Sequence, residues 1–237
     1  MKTPLYLFSV LTVFSLFFSS CRTCVDGIGP VLEKNIELKG FTSLDIRVPA
    51  DIVLKVGDSP VASIQANENL LGLISAEIKG KTLIIDSKRC IGSADKFHID
   101  LIVRDLNHIV LNGSGFVKSI SQLRSDKMRL EINGSGKIML EVFSNVVKAD
   151  ISGSGDIIVN GSTKDLDVSI NGSGGFEALG LQAFSSNVDI NGSGEARLNV
   201  KNKLNINLNG SGSVLYSGMP KIKTDISGSG EVRKIRD

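Results

Sequence analysis

Asp150, Asp189 and Asp225 each stand three residues before the first glycine of a Gly-Ser-Gly tripeptide, as does Glu131, and Asp167 lies two places further back in its own segment. Carboxylates that recur in phase with a turn signal fall on one face of whatever the turn joins. Such a row could cleave a glycosidic bond where two carboxyl groups, or a carboxyl with Arg or Lys, converge in a groove. It could equally hold a cation, present acceptors to a polar ligand, or be the ordinary decoration of a solvated strand face. Recognition needs side chains that offer both donors and acceptors, which singles out Asp150, Asn187, Asp189, Lys223 and Asp225 as ligand-facing residues. No catalytic, cofactor-binding or metal-ligating residue is assigned, and no cofactor is expected.

The glycine motif itself carries no chemistry. Asn-Gly-Ser-Gly, or Ser-Gly-Ser-Gly, recurs seven times with its central serines at Ser114, Ser135, Ser154, Ser173, Ser193, Ser211 and Ser229. No copy completes a dinucleotide-binding fingerprint or opens a helical pattern. Calcium-binding β-rolls repeat every nine residues with a regular aspartate, whereas here the residue after the last glycine is Phe116, Lys137, Asp156, Gly175, Glu195, Ser213 or Glu231. Several copies also fit a glycosylation sequon, but turn geometry accounts for their regular placement.

The steps between successive serines are 21, 19, 19, 20, 18 and 18 residues. Each motif follows a segment of period-two hydrophobicity, as in Met128, Leu130 and Ile132, or Leu204, Ile206 and Leu208, which marks a strand with one buried face. A second pair follows each motif, as in Ile138 and Leu140, or Ile157 and Val159. A propeller blade needs roughly 40 residues; about 19 residues suit one circuit of a β-solenoid, whose strands stack in parallel on their equivalents one coil away. The expected fold is therefore all-β, a single-domain parallel β-helix with coils of 18–21 residues and Gly-Ser-Gly corners. Stacked corners need glycine where φ turns positive. Asn112, Asn133, Asn171, Asn191 and Asn209 should form an axial amide ladder, with Ser152 and Ser227 as substitutes.

Residues from about Ile36 to Ile109 lack the corner but keep the strand pattern, in Leu44, Ile46 and Val48, then Ile52, Leu54 and Val56, then Leu83 and Ile85. They are read as the start of the same solenoid. Asn69-Leu70-Leu71 is either a short helical turn or a wider corner. The first coil needs a cap, since an open edge pairs with other chains, and Ile36 to Arg47 is the candidate segment.

Lys2 and the apolar run from Leu5 to Phe18 read as a signal peptide, too short for an ordinary spanning helix. Phe18-Ser19-Ser20-Cys21 resembles a bacterial lipobox, with Phe18 where Leu is usual, so Cys21 is the expected lipidation site. The domain reading is 1–20 lipoprotein signal peptide, 21–35 tether and 36–237 β-helix. An oxidising compartment would allow Cys24 and Cys90 to pair, and the sequence leaves that open; His98 and His108 show no ligand spacing. Lys and Arg number 27 against 25 for Asp and Glu, so no basic stripe marks nucleic acid.

FTSLDIRVPADIVLKVGDSP at Phe41 to Pro60, QANENLLGLISAEIKGKTLIID at Gln65 to Asp86, and the D-I-N-G-S-G pattern at Asp189 to Gly194 resemble the head GIN domain family of auto-transporter adhesins. The resemblance covers nearly all the chain after the leader. It implies a parallel β-helix at the cell envelope with an adhesive role, and it brings no catalytic residues. The reading is a non-catalytic, adhesin-like lipoprotein of the outer membrane, facing the periplasm or the exterior, with carbohydrate or another envelope protein as partner. The alternative is a polysaccharide lyase or glycoside hydrolase on the same scaffold.

Overall fold

Period-two segments joined by glycine corners should wind into stacked coils, and the structure, a computed structural model describing residues 24–235, shows that they do. The N-terminal elements are β1 (Val31–Glu37), β2 (Ser43–Ile46), β3 (Asp51–Val56), β4 (Val61–Asn67), α1 (Glu68–Leu71), β5 (Ile74–Lys79), β6 (Thr82–Ser87), β7 (Phe97–Val103), β8 (His108–Gly113) and β9 (Phe116–Ser119). The repeats follow as β10 (Leu123–Gly134), β11 (Lys137–Gly153), β12 (Asp156–Gly172), β13 (Gly175–Gly192), β14 (Glu195–Gly210), β15 (Ser213–Ser217), β16 (Lys221–Gly228) and β17 (Glu231–Lys234). From β8 onward every pairing is parallel, coil on coil.

Each coil has two legs. In β11, Ile138, Leu140 and Val142 are buried, then Val147, Ala149 and Ile151. The spacing from Val142 to Val147 breaks the period, and there the chain turns back. Oxygen-bearing side chains satisfy the backbone at this second corner: Ser144 Oγ donates to the Ser125 carbonyl at 2.8 Å, and Thr163 Oγ1 lies 3.2 and 3.0 Å from the carbonyls of Asn145 and Asp165. Irregularities of register in β13 also fall here, between Ala178 and Ser185. Coil length thus varies at the second corner, while Gly172, Gly192 and Gly210 remain in register.

The core lies between the two legs as columns running along the axis. Ile132, Ile151, Ile170, Ile190 and Leu208 are stacked in register and fully buried. Each such side chain contributes about 1.5–3 kcal/mol on burial, so no coil is stable without its neighbours.

The order of coils in space departs from the order in sequence. Strand β2 lies between β6 and β8, and β3 lies between β7 and β9. The chain therefore enters at the second coil, builds the outermost coil with β6 and β7, and crosses back to β8. Beyond the outermost coil, β4 runs antiparallel to β7, β1 antiparallel to β4, and β5 antiparallel to β6. This reversal is the cap. Of the expected capping segment Ile36 to Arg47, only its first residues belong to the cap in β1; Ser43–Ile46 is an internal rung. The alternative at Asn69-Leu70-Leu71 resolves as the helical turn α1.

Of the stretch 21–35 assigned to a tether, residues 24–35 are built into this end. Cys24 and Cys90 form a disulfide, Val25 pairs with Ile91, and Val31–Asn35 already lies in β1. Asn67, fully buried, donates to the Gly29 carbonyl at 2.9 Å and to Asp95 at 2.8 Å, and accepts from the Asp95 N–H at 3.0 Å. In β1, Glu33 accepts from Ser63 and Gln65, and these bonds, Ser63 first, hold its carboxyl below the usual glutamate range. The signal peptide and Cys21 lie outside the described residues.

Candidate functional site

Because strands alternate their side chains and the coils are in register, the outward residues of the leg preceding each Gly-Ser-Gly corner form straight axial rows. The row nearest the corner is the expected amide ladder. Asn133 donates to Asn112 at 3.0 Å, Asn191 to Asn171 at 3.2 Å and Asn209 to Asn191 at 3.1 Å. Ser152 interrupts it between Asn133 and Asn171. At its N-terminal end Asn112 donates to Asp45 at 2.8 Å, a residue of β2, as the rearranged coil order requires.

The corner is held by backbone. Ser154 N–H donates to Gly134 O at 2.9 Å, Ser173 to Gly153 at 2.9 Å and Ser193 to Gly172 at 2.9 Å. The first glycine of every copy has positive φ, from +111° at Gly113 to +139° at Gly134. The second glycine has another constraint: a Cβ on Gly174 would meet the Gly155 carbonyl oxygen and the Ile151 side chain. The motif serines are exposed and point away from the core.

The second row runs Glu131, Asp150, Ser169, Asp189, Asn207, Asp225, and the third runs His108, Arg129, Lys148, Asp167, Asn187, Asn205, Lys223. All five ligand-facing residues expected from sequence lie in these two adjacent rows. Together with Lys203, Lys221 and the intervening amides they line one open trough of about 1050 Å³. Its polar groups are linked along the axis. Asn187 donates to Asp167 at 2.7 Å, Asn205 to Asn187 at 2.8 Å and Asn207 to Asp189 at 2.6 Å.

The three aspartates of the second row do not converge. Asp150 and Asp189 are separated by Ser169, and Asp189 and Asp225 by Asn207, so each pair is about 10 Å apart at two strand spacings. Among the described residues no three His, Cys, Asp or Glu side chains gather at a point that could hold a metal ion. At the N-terminal end of the rows, Glu131 and Asp150 were expected from sequence, but the basic residues His108, Arg129 and Lys148 beside them were not. There His108 Nε2 and Arg129 Nε both lie 2.7 Å from Glu131 Oε1, and Arg129 Nη2 and Lys148 Nζ each lie 3.5 Å from Asp150. The signal was the spacing from His108 to Arg129, which equals the first corner-to-corner step of 21 residues. His98 is far from these rows, in β7, 3.2 Å from Asp100.

The fold is a capped parallel β-solenoid whose registered rows present a polar outer face. The model of the family "Putative auto-transporter adhesin, head GIN domain" matches residues 40–220, and the chain belongs to that family. Solved structures of the same fold include a "putative adhesin" from Bacteroides fragilis, 21% identical with a TM-score of 0.83 over 89% of this chain and 100% of that one. A "putative lipid binding protein" from Parabacteroides distasonis is 24% identical with a TM-score of 0.77 over 90% and 100%, and a "putative adhesin" from Parabacteroides merdae is 21% identical with a TM-score of 0.71 over 90% and 99%. No curated protein matches the chain.

Proposed function

We propose that this chain is a non-catalytic, envelope-anchored binding module that meets its ligand along the trough. The observation that carries this reading is the two registered rows, in which Asp150, Asn187, Asp189, Lys223 and Asp225 alternate charge and amide around one open concavity. Amides and carboxylates spaced at about 4.8 Å along an axis offer repeated donors and acceptors, which suits the hydroxyls of an extended glycan. Lipid binding, the description of one structural relative, would need an apolar site, and this trough is lined mainly by charged and amide side chains.

Membership of an adhesin head family supports export to the envelope. The leader and the lipobox-like Phe18-Ser19-Ser20-Cys21 support lipidation at Cys21 and outer-membrane attachment. The Cys24–Cys90 disulfide pins the chain three residues after Cys21. At up to about 3.6 Å per residue that leaves a reach of only about 11 Å, so an anchored domain would stand with its capped end toward the membrane.

A glycan array and pull-down with the purified protein test the ligand. Binding that is lost when Asp150 and Asp189, both away from the end coil, are replaced by Ala supports the reading; binding unaffected by that change refutes the trough. Polysaccharide cleavage is a second reading, favoured by the adjacent Glu131 and Asp150 with Arg129 between them. Release of reducing or unsaturated ends from a glycan panel, lost in Glu131→Gln, would establish it.

A further inference from the structure

Among the described residues the two ends of the solenoid differ. The N-terminal end carries antiparallel β1, β4 and β5 over its outermost coil. At the other end, β16 and β17 pair on one side only among the described residues. The inward side chains of β16 are uncovered. Ile222 and Ile226 are 41% and 42% exposed, whereas Leu204 and Leu208, their partners one coil earlier, are 0%. An open strand edge above bare core residues is a template for another strand.

We propose that a second copy of this chain occupies that edge, with the two β16 strands antiparallel about Thr224. The sequence of β16 is self-complementary in this register. Ile222 falls opposite Ile226 of the other copy, Thr224 opposite Thr224, and Lys223 opposite Asp225, all by the residue order Lys221-Ile222-Lys223-Thr224-Asp225-Ile226-Ser227. Ile222, Thr224 and Ile226 continue the buried columns of Leu204, Ile206 and Leu208, so the apolar cores merge. The outward charges form two opposite-sign cross-strand pairs, the favourable arrangement at directly opposed positions.

Neighbouring registers fail. A one-residue shift of the pairing puts inward positions against outward ones. Centring on Lys223 places Lys223 opposite its own copy, centring on Asp225 places Asp225 opposite its own copy, and centring on Ile222 places Lys221 opposite Lys223. The charges on this edge thus select one register where they would otherwise only repel. The contact is isologous and closes at two copies. Antiparallel pairing also reverses the solenoid axis, so the capped ends lie at opposite poles. Anchored at Cys21, as proposed above, two copies would meet from opposed surfaces.

Sedimentation velocity of the full-length protein, without glycan, over a roughly hundredfold concentration range tests this directly. The expected result is a monomer–dimer equilibrium. Lys223→Asp or Asp225→Lys alone should raise the dimer Kd by about tenfold or more, about 1.4 kcal/mol, and the two combined should restore it. Thr224→Cys should cross-link into dimers under oxidation, since only the residue on the two-fold faces its own copy. Monomer at every concentration, species growing beyond dimer, single swaps without effect, or a combined swap no better than the singles would each overturn the proposal. Because no glycan is present, failure here says nothing against the trough.

Discussion

A Cβ on Gly174 would stand 2.5 Å from the carbonyl oxygen of Gly155, one coil away, and 2.6 Å from Cγ2 of Ile151. The obstacle on one side is backbone, which cannot move without breaking the Gly175 N–H to Gly155 bond of 3.0 Å. Gly174→Val should therefore cost about 3 kcal/mol or more. Ser173→Ala, at an exposed neighbour whose backbone alone makes the corner bond, should stay within about 0.5 kcal/mol. Thermal melts of the two variants check this; equal melting temperatures would remove the structural account of the corner.

Ile170 and Ser169 test the phase of the strand. Ile170 is fully buried between Ile151 and Ile190, and Ser169 is outward between Asp150 and Asp189. Ile170→Asp leaves a carboxylate in the core and should cost several kcal/mol. For a domain of this size that lowers the melting temperature by about 2–4 °C per kcal/mol. Ser169→Asp should cost little, although it adds a third acid between two others.

The corners and the core columns were legible because each repeats its own signal. Gly153, Gly172 and Gly192 announce the turn, and Ile151, Ile170 and Ile190 the buried column, at nearly the same interval. The trough rows followed from the same arithmetic. The N-terminal coil order did not, because Leu44 and Leu83 carry the same period-two pattern and nothing in that pattern says which coil lies outside the other. The contact of Asn112 with Asp45, 67 residues apart, is a product of that exchange. Ile222 and Ile226 follow the buried pattern, yet they sit on the open edge, since burial depends on a neighbour that a strand's own residues do not specify.

The disulfide closes a loop with a sequence separation of 66 residues that contains the whole cap. In the chain-entropy account a loop of that length is worth about 4 kcal/mol. Replacing Cys24 and Cys90 together by Ser should lower denaturant stability by that order without changing the repeats. The cap should loosen first, read as faster amide exchange at Val25 and Gly27, whose N–H groups bond Cys90 and Ser93. Uniform protection across the domain would argue against a separately pinned end.

Ser186 tests the core from another side. It occupies the inward column between Leu166 and Leu204, is 2% exposed, and its hydroxyl has no hydrogen-bond partner. An unsatisfied buried hydroxyl costs about 1–3 kcal/mol relative to a paired one. Ser186→Ala removes the penalty with almost no change of volume and should raise stability by about 1 kcal/mol, or about 2–4 °C in melting temperature. Ser144→Ala, which deletes the bond to the Ser125 carbonyl at the second corner, should move the melting temperature the other way. Chemical denaturation of both variants decides the matter: a loss of stability in Ser186→Ala would mean that this hydroxyl is satisfied in solution, and the column would then hold a polar contact rather than a defect.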